Sequence, residues 1–352
     1  MMSLPQILIE FKKLGSSIVN RTSKGTVAVI LKDNTNVTFD TKIYSVESEI
    51  VTSHFTTANR DFLAKIFLGN PSKVIVERVG TADDYTAALA RLKNKQFNYL
   101  TIPGIIADDV AVIVTWIKDQ RDNFKRTFKA VLPNSVANYE GIINFTTEDI
   151  KVGSKTYSAS EYACRIAGIL AGIPINQSCT YFVLTEVESI TESITPDDDI
   201  DAGKLILVND GSKIKIGRGV NSLTTVGATQ SEDYKKIKII ESVDIMRDDI
   251  RSTFENNYIG KIPNSYDNKV IFIAAINSYF KDLANENVLY DKYDNKAEID
   301  IDATATFLKL SMNIDTWSET QIKQADTGTN VFVMANIKIQ DAMEDLKFQI
   351  YM

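Results

Sequence analysis

The sequence predicts a multi-domain protein of mixed α/β and α+β class. Three observations lead to this prediction: a chain of 352 residues, a regular alternation of helical and strand patterns in its middle, and a change to long amphipathic helices after residue 231. A chain of this length has room for about two domains with their own cores. With 44% hydrophobic and 24% charged residues, the composition is that of an ordinary globular protein rather than a disordered or collagen-like chain.

The chain begins with a strand-like arm. In the segment "LPQILIEF", Ile7, Ile9 and Phe11 alternate on one face, behind a proline that suits the start of a strand. The next stretch, Lys12–Gly25, is polar and interrupted by Gly and Ser, which separates this strand from the following one. We therefore predict a strand arm and its linker over residues 1–25.

Residues 26–91 are predicted to form a small β-rich domain. The apolar runs "TVAVIL" and "KVIVERV" are strand-like, and they flank one helix, Thr56–Gly69, whose last glycine is a typical stop signal. A helix between strands of this kind is typical of a small α+β unit.

Residues 92–232 are predicted to form an α/β domain. From residue 83 onward, helices alternate with short apolar strands, which is typical of a largely parallel sheet covered by crossover helices. The predicted elements are helices at Asp83–Lys93, Asp108–Arg121 and Ala159–Ala171, strands at Asn98–Ile102, Thr127–Leu132 and Gly141–Phe145, and two hairpins, "IKVGSKTYS" and Leu205–Gly217, the second turning at Asp210-Gly211.

Residues 233–352 are predicted to form an α+β domain with a terminal arm. A first helix places Ile239, Val243 and Met246 on one apolar face, and a second helix covers Asp267–Leu283. The segment "EIDIDATATFLKLSMNI" alternates like a strand, and Ser318–Ala325 is a candidate short helix.

The chain ends in two strand-like runs. Val331, Val333, Ile337 and Ile339 mark a first strand that we expect to stay in the protein's own sheet. The polar break "QDAMEDL" follows, and we expect its acidic residues to discourage unregulated edge pairing. The remaining arm, within residues 341–352, needs a partner strand because it has no capping loop. Its apolar residues are Leu346, Phe348 and Ile350.

The residue types needed for catalysis are scarce. The single histidine, His54, is most simply a structural loop residue, and no nucleophile motif accompanies it. Cys164 and Cys179 are too few for a zinc site or a disulfide framework, and isolated cysteines are usually small buried hydrophobes. We therefore expect no catalytic residue, metal or cofactor.

Two polar motifs have simpler interpretations than ligand binding. The run "PDDDID" after Thr195 has the pattern of a helix start, with proline at the first position and aspartates in the first turn, and it lacks the spacing of a calcium loop. The run "GRGVNS" follows a hairpin instead of opening a helix after a parallel strand, so it does not predict a dinucleotide site.

Net charge and hydropathy favour neither nucleic acid nor membrane as a partner. A formal net charge of -7 provides no general basic surface for nucleic acid. No run approaches the roughly 18 apolar residues that span a bilayer, and the N-terminus lacks a secretory pattern. We expect a soluble chain made in the cytoplasm.

Two stretches resemble one protein family. "ACRIAGILAGIPINQSCTYFVL" (Ala163–Leu184) resembles the segment of contractile phage tail sheath proteins in which a small-residue helix leads through Gly-x-Pro to a Ser-x-Thr strand. "AGKLILVNDGSKIKIGRGVNSLTT" (Ala202–Thr225) resembles their characteristic hairpin followed by a Gly-Val-Asn-Ser/Thr-Leu-Thr element. The similarity extends from Leu4 to the C-terminus and is greatest to the short sheaths of PBSX-like defective prophages and R-type bacteriocins.

The resemblance implies a fold and an assembly. The middle domain would be subtilisin-like without catalytic residues, and the C-terminal domain would serve assembly. Subunits would form hexameric rings stacked helically around an inner tail tube. Arms from both ends would exchange strands between subunits, and contraction would drive the tube through a cell envelope.

The resemblance also implies partners and a location. Baseplate and tail terminator proteins would bind the ends of the sheath, and assembly would take place in the bacterial cytoplasm, giving a phage tail or a released tail-like particle. The short helix before the terminal strands would contact the tube, with Gln321 and Lys323 as candidate residues. The alternatives are a sheath component of a type VI secretion system and, less in keeping with the single histidine, an α/β hydrolase-type enzyme.

Overall fold

The computed structural model describes residues 25–228 and 230–352. These residues belong to two compact units. The first, here called the sheet unit, contains residues up to 245 together with 341–352, and the second, here called the helical unit, contains residues 246–340. The predicted N-terminal arm, with Ile7, Ile9 and Phe11, lies outside the described residues.

The sheet unit is built on one seven-stranded sheet. Its strand order is β2-β3-β1-β4-β5-β6-β9, and every neighbouring pair is parallel except β2 with β3. Two antiparallel hairpins, β7-β8 and β10-β11, lie outside this sheet. The strands of the unit are β1 Thr26–Lys32, β2 Thr41–Tyr44, β3 Lys73–Val79, β4 Tyr99–Thr101, β5 Lys129–Pro133, β6 Ile142–Phe145, β7 Ile150–Val152, β8 Lys155–Tyr157, β9 Lys204–Leu205, β10 Leu207–Asn209 and β11 Ile214–Ile216.

Helices cover both faces of this sheet. Their bounds are α1 Thr57–Phe67, α2 Thr86–Leu92, α3 Ala107–Asp122, α4 Ala159–Gly172 and α5 Pro196–Asp201. The alternating side chains of β1 contribute to two cores: Val27, Val29 and Leu31 pack with α1 and α4, while Ala28 and Ile30 pack with α2 and α3. Burial on both faces explains why this strand is a continuous apolar run rather than an alternating one.

The strands on either side of residue 91 belong to the same sheet. β1 pairs with β3 on one side and with β4 on the other. The predicted boundary between residues 91 and 92 is therefore not a division between two compact units. The sequence could not show this because the three strands are joined by long crossovers, and their pairing is a property of the tertiary structure.

Helices α1 and α4 pack in close contact, and glycine makes this possible. A Cβ atom added to Gly168 would lie 2.2 Å from the carbonyl oxygen of Ile66. This part of α4 is the small-residue helix of the first family-like stretch, and Ser158 begins it with a capping box that includes Glu161. The small residues thus serve helix packing.

A buried cluster of charges joins the sheet to the next helix, α6 Ile237–Asn257. Asp244 accepts two hydrogen bonds from the guanidinium of Arg121, at 2.8 and 3.0 Å, and one from the ammonium of Lys129 at 3.0 Å. Lys129 also lies 3.3 Å from Glu241, which accepts a hydrogen bond from the hydroxyl of Tyr99. These contacts hold the start of α6 against β4 and β5.

The charges in this cluster stabilise one another. Burial alone would raise the pKa of Asp244, but Lys129 and Arg121 outweigh burial and lower it. Burial likewise acts to lower the pKa of Lys129, and the carboxylates of Asp244 and Glu241 reverse that shift. The cluster therefore remains ionised although its centre is inaccessible to solvent.

The helical unit contains the rest of α6 and a small antiparallel sheet. The boundary between the two units falls inside α6, at residues 245 and 246 instead of the predicted 232 and 233. In the helical unit, β12 (Lys296–Ile299) and β13 (Val333–Asn336) are antiparallel, and their pairing runs from Lys296↔Asn336 to Ile299↔Val333. The remaining elements are α7 Tyr266–Asn285, β12 Lys296–Ile299, α8 Ile301–Leu308, α9 Glu319–Gln324 and β13 Val333–Asn336.

The predicted long strand over "EIDIDATATFLKLSMNI" is wrong. Only its first residues belong to β12, and α8 follows directly. The side chain of Asp300 accepts a hydrogen bond from the backbone N–H of Ala303 at 2.8 Å and so caps this helix. The strand prediction missed the change from strand to helix because Asp300 fits two patterns. It is a polar residue in an alternating strand pattern, and it is also a typical N-cap of a helix.

The two cysteines are free and buried, as expected of small hydrophobes. Burial raises the pKa of the Cys179 thiol to about 12 and that of Cys164 further still. Neither thiol is therefore an accessible nucleophile.

Among the helices within residues 25–228 and 230–352, none has the length and apolar character to cross a bilayer.

Candidate assembly sites

The C-terminal segment, residues 341–352, is held in the sheet unit by its acidic residues. Glu344 accepts hydrogen bonds from the hydroxyls of Ser178 and Thr180, both at 2.7 Å, and from Nε of Arg218 at 3.0 Å. Asp345 accepts from Nη2 of the same arginine. We call the contacts of Glu344 and its neighbours the acidic anchor.

A second ionic contact lies at the start of this segment. Asp341 accepts a hydrogen bond from the ammonium of Lys236, which immediately precedes α6. Burial acts to raise the pKa of Asp341, but the Lys236 ammonium and the backbone N–H of Ala342 outweigh it and lower the pKa. The segment is therefore held at both ends of its acidic stretch.

The two family-like stretches meet at this anchor. Ser178 and Thr180 come from the first, and Arg218 and Gly219 from the second. The backbone N–H of Gly219 donates to the hydroxyl oxygen of Thr180 at 3.0 Å, so that hydroxyl is oriented toward Glu344. A side chain at Gly219 would force the buried Cys179 side chain to move, since its Cβ would lie 2.8 Å from the sulfur of Cys179.

Glu344 is the central residue of the anchor. Its side chain is 13% exposed, whereas that of Asp345 is 83% exposed. The hydrogen bonds that Arg218 donates to Asp345 and Glu344 raise the pKa of its guanidinium. Hydrogen bonds between charged partners are stronger than neutral ones, and partial burial reduces the screening by solvent. The anchor can fix the point at which the chain leaves the surface of the unit.

Beyond the anchor, the last residues expose their apolar side chains. Leu346 is 91% exposed, Phe348 75% and Ile350 72%. Residues 346–352, here called the tail, form neither helix nor strand. Exposed apolar side chains in a row are unusual for a monomer and indicate an interaction site.

The helical unit contains a strand with one open edge. Residues 332–340 pair on one side only: β12 pairs with β13, and Leu289 forms an antiparallel bridge with Ile339. Within the part of the chain that the structure describes, no strand pairs with the other side. An unpaired edge of this length is a template for another strand. We call residues 332–340 the open-edge strand.

The outer edge of β12 is closed by a side chain of α7. The amide of Asn277 donates to the carbonyl oxygen of Ala297 at 3.1 Å and accepts from its N–H at 2.7 Å. These are the two bonds that a residue of a neighbouring strand would make. The small sheet can therefore be extended on one side, at the open-edge strand.

The structure places the other predicted site residues in α9. The side chain of Gln321 accepts a hydrogen bond from the backbone N–H of Ser318 at 2.8 Å, as part of a capping box. Lys323 is partly exposed and lies 3.9 Å from Glu319. Gln321 thus has a structural role in the helix start, while Lys323 presents its charge at the surface.

Sequence reasoning missed the acidic anchor. We expected Asp341, Glu344 and Asp345 to protect a strand edge, but the structure pairs them with Lys236 and Arg218. Their partners lie more than 100 residues away in the chain. An alternation of acidic residues with apolar ones could suggest an anchor but could not identify its partners.

Charge reversal at Arg218 should release the C-terminal segment. Arg218→Glu places a carboxylate beside Glu344 and Asp345, and we expect a loss on the order of 1–2 kcal/mol because the arginine is partly exposed to solvent. This corresponds to roughly tenfold faster backbone hydrogen exchange over residues 341–345. Lys213→Glu makes the same charge change at an exposed hairpin position and should leave exchange unchanged.

A compensating change should restore the anchor. In the double variant Arg218→Glu with Glu344→Arg the opposite charges face each other again, so exchange over residues 341–345 should slow toward that of the unmodified chain. Equal exchange in the unmodified chain and Arg218→Glu would show that the ionic contacts do not hold the segment.

Two family models and several known proteins match this chain. A sequence model of the phage tail sheath protein central domain matches residues 79–222, and one of the phage tail sheath C-terminal domain matches residues 229–352. The tail sheath protein of Clostridium phage phiCD119 is 37% identical over 363 residues, covering 100% of both chains. The phage-like element PBSX protein XkdK of Bacillus subtilis is 25% identical over 173 residues, 47% of this chain and 37% of the relative.

Solved structures of low sequence identity share the fold. The sheath tail protein of Desulfitobacterium hafniense matches with a TM-score of 0.71 and 14% identity, covering 85% of this chain and 92% of the other. The helical sheath of the anti-feeding prophage in its contracted state matches with a TM-score of 0.68 and 13% identity, covering 100% and 99%. The mixed α/β fold is thus confirmed at a coarse level.

The resemblance seen in the two stretches that meet at the acidic anchor is confirmed over the full length of the chain. The matching family is structural and not a family of enzymes. Full-length identity of 37% and two family models that together span most of the sequence show that this chain belongs to the phage tail sheath family.

Proposed function

We propose that this protein is the structural subunit of a contractile tail sheath that polymerises as stacked hexameric rings around an inner tube. The observation that carries the proposal is the anchored C-terminal segment, in which Glu344 is held on the sheet unit and the residues after it expose apolar side chains. A tail of this kind is suited to leave its own subunit at a defined point and bind a neighbour.

Strand exchange between subunits links the polymer. The tail, with Leu346, Phe348 and Ile350, adds to the sheet of a neighbour, and the N-terminal arm does the same with Ile7, Ile9 and Phe11. Among residues 25–228 and 230–352, the partners of the open-edge strand lie on one side, which makes the strand a suitable receptor. Donor and receptor are different surfaces, so the contact is heterologous and propagates into rings and filaments.

Contraction changes the packing between subunits while the arms stay bound. The domains of each subunit move as rigid bodies, while the linker Lys12–Gly25 keeps the N-terminal arm bound to its neighbour. The extended sheath is metastable, and interfaces formed on contraction supply the free energy that drives the tube through a cell envelope. Nucleotide hydrolysis is not part of this mechanism.

The remaining partners follow from the same function. Baseplate and tail terminator proteins bind the two ends of the sheath. A chain in the baseplate structure of the anti-feeding prophage has a similar fold, with a TM-score of 0.66 and 12% identity. This similarity supports the proposal that a subunit of this fold can assemble with a baseplate. The polymer assembles in the bacterial cytoplasm and becomes part of a phage tail or a tail-like particle.

Negative-stain electron microscopy of the purified full-length chain tests the proposal. We expect tubes or stacks of rings, either alone or on addition of the inner tube protein. A protein that stays a monodisperse monomer under both conditions and turns over an ester or peptide substrate would favour an α/β hydrolase-type enzyme instead.

Charge reversal at Lys323 tests the contact with the tube. Lys323→Glu should lower the yield of sheath co-assembled with tube several-fold, because α9 presents this charge at the surface. Co-sedimentation with the purified tube protein measures the yield. Lys309→Glu, an exposed position at the end of α8, serves as the control, and unchanged co-assembly of the Lys323 variant would remove α9 from the tube interface.

A further inference from the structure

We propose that a turn in the helical unit of one copy docks into a groove on the sheet unit of a second copy. The groove lies between α3 and residues 133–137, and we call it the α3 groove. The turn is formed by residues 259–262, between α6 and α7, and we call it the α6–α7 turn. The inference rests on the proposed function and adds a contact between subunits that is made by side chains instead of strand pairing.

The α3 groove is an apolar cavity at the surface of the sheet unit. Its volume is about 510 Å³, within the range of roughly 300–1,000 Å³ that is typical of binding pockets. One face of α3 lines it with small and branched side chains, those of Ala107, Val110, Ala111 and Val114. Val136 lies on the facing loop and is 80% exposed. An exposed apolar side chain beside an apolar cavity indicates a docking surface.

The loop that faces α3 is held in place by the second family-like stretch. Asn138, whose φ is 47°, accepts hydrogen bonds from the backbone N–H groups of Thr224 and Thr225 at 2.8 and 2.9 Å. The hydroxyl of Ser222 donates to the carbonyl oxygen of Tyr139 at 2.9 Å. The groove is therefore preformed, and a partner does not have to order it on binding.

The end of the groove next to α4 is acidic. Glu148 lines it, and a hydrogen bond of 2.8 Å from the first backbone N–H of α4 fixes its carboxylate there. Asp108 and Asp109 lie in the first turn of α3. The lysine one turn beyond the groove, Lys118, is engaged, since its ammonium donates to the carbonyl oxygen of Ala137 at 3.0 Å. The groove therefore fits an apolar segment that carries a lysine or an arginine.

The α6–α7 turn is a segment of this kind. Ile259 is 55% exposed and Ile262 is 44% exposed, and Lys261 between them is exposed as well. Gly260, with a φ of 69°, allows the chain to turn at this point. The Lys261 ammonium donates to the carbonyl oxygen of Asn256, which leaves two of its three N–H groups for a carboxylate. Two apolar side chains and one cation thus project from four consecutive residues.

Contacts within the helical unit hold the turn in this conformation. The ring of Tyr258 packs on that of Phe272, with the ring centroids 4.7 Å apart. The side-chain amide of Asn264 donates to the carbonyl oxygens of Gly328 and Asn330 at 2.7 and 2.9 Å. Both surfaces of the proposed contact are therefore preorganised, which lowers the entropic cost of docking.

A second copy is the occupant that a sheath supplies at every position. The groove and the turn are different surfaces of one chain, so their contact is heterologous and repeats from copy to copy. The contact is small and is weak between free subunits. Strand exchange raises the effective concentration of the turn near the groove, so the contact forms in the polymer.

Mixed cysteine variants test the contact between copies. Full-length subunits with Ala111→Cys and subunits with Ile262→Cys are mixed in equal parts, assembled, treated with a short bismaleimide and run on a denaturing gel. One control mixture replaces Ile262→Cys by Leu310→Cys, and the other replaces Ala111→Cys by Ile194→Cys. Leu310 and Ile194 are 82% and 97% exposed, so both controls offer accessible thiols. The native cysteines do not compete because both are buried.

We expect at least fivefold more linked dimer from the matched mixture than from either control mixture. Each variant assembled alone should give no more dimer than the controls, because the link joins two different positions. Equal linking in the matched and control mixtures would overturn the proposal.

Substitutions on the two surfaces should weaken assembly to the same extent. Ala111→Arg fills the groove, and Ile262→Asp brings a carboxylate to its acidic end. Each should raise the critical concentration for tube formation about tenfold, and the double variant should raise it no further because both remove one contact. Val112→Arg places the same side chain on α3 outside the groove lining and should have no effect. An effect of Ala111→Arg without one of Ile262→Asp would show that the groove binds another segment and would overturn the proposal.

Electron microscopy separates failure of this inference from failure of the proposed function. Tubes formed equally well by the unmodified chain, Ala111→Arg and Ile262→Asp would exclude the groove and the turn as an interface and leave the proposed function intact. Absence of tubes or rings from the unmodified chain, with and without tube protein, would contradict the proposed function itself. Thermal melting checks the fold of each variant, and the cysteine mixtures decide the question if either substitution prevents folding.

Discussion

Removal of residues 346–352 should leave a folded monomer that no longer polymerises. The tail side chains are exposed in the subunit, so their loss removes little buried surface and should change the melting temperature by no more than about 2 °C. Polymer formation should fall below detection because each subunit loses the strand it donates. Thermal melting measures the first effect, and size-exclusion chromatography with electron microscopy measures the second.

A matched pair of substitutions separates apolar contact from chain length. Phe348→Ser with Ile350→Ser alters the apolar face of the tail and should abolish assembly nearly as well as the deletion. Lys347→Ser with Gln349→Ser alters the polar face and should retain it. A large fall in melting temperature on deletion would instead mean that the tail belongs to the core of its own subunit.

Replacement of Asp244 should have the largest effect on stability. Asp244→Ala leaves the buried cations of Arg121 and Lys129 without their shared carboxylate, and breaking a buried ion pair in this way costs about 3–5 kcal/mol. The midpoint of urea unfolding should fall accordingly. Asp201→Asn, an exposed carboxylate, should change stability by less than about 0.5 kcal/mol.

The same cluster should make stability depend on pH. The folded-state pKa of Asp244 is lowered, so its contribution is present above the unfolded value of about 4 and is lost as pH falls through the folded value. The folded-state pKa of Lys129 is raised, so its contribution is present below about 10.5 and is lost as pH rises through the folded value. If the unfolding midpoint of Asp244→Ala equalled that of the unmodified chain at pH 7, the cluster would have no net role.

Short-range signals were interpreted correctly. The hairpin at Asp210-Gly211, the capped helix beginning after Ser158 and the helix after Thr195 all appear where expected. Each is stabilised by interactions between residues a few positions apart, so a single stretch of sequence is enough to predict it. The family-like stretches were recognisable for the same reason.

Long-range relations were not predictable from pattern. One sheet joins strands on both sides of residue 91, Asp300 ends a strand and begins a helix, and Glu344 binds side chains from two distant stretches. None of these contacts produces a periodic pattern of apolar or charged residues in the sequence. Register and partner choice depend on which apolar faces are already covered and which charges meet on folding.

The sequence by itself determined the mixed α/β class, the strand-like pattern of the last residues and membership of a sheath family. These follow from side-chain periodicity and from contiguous motifs. Only the tertiary structure decided that the acidic residues before the tail form an anchor and that, within the described part of the chain, the open-edge strand is paired on one side alone. The physical reason is that ion pairs and strand pairs join residues that are close in space but distant in sequence. A local sequence pattern therefore does not identify the partners.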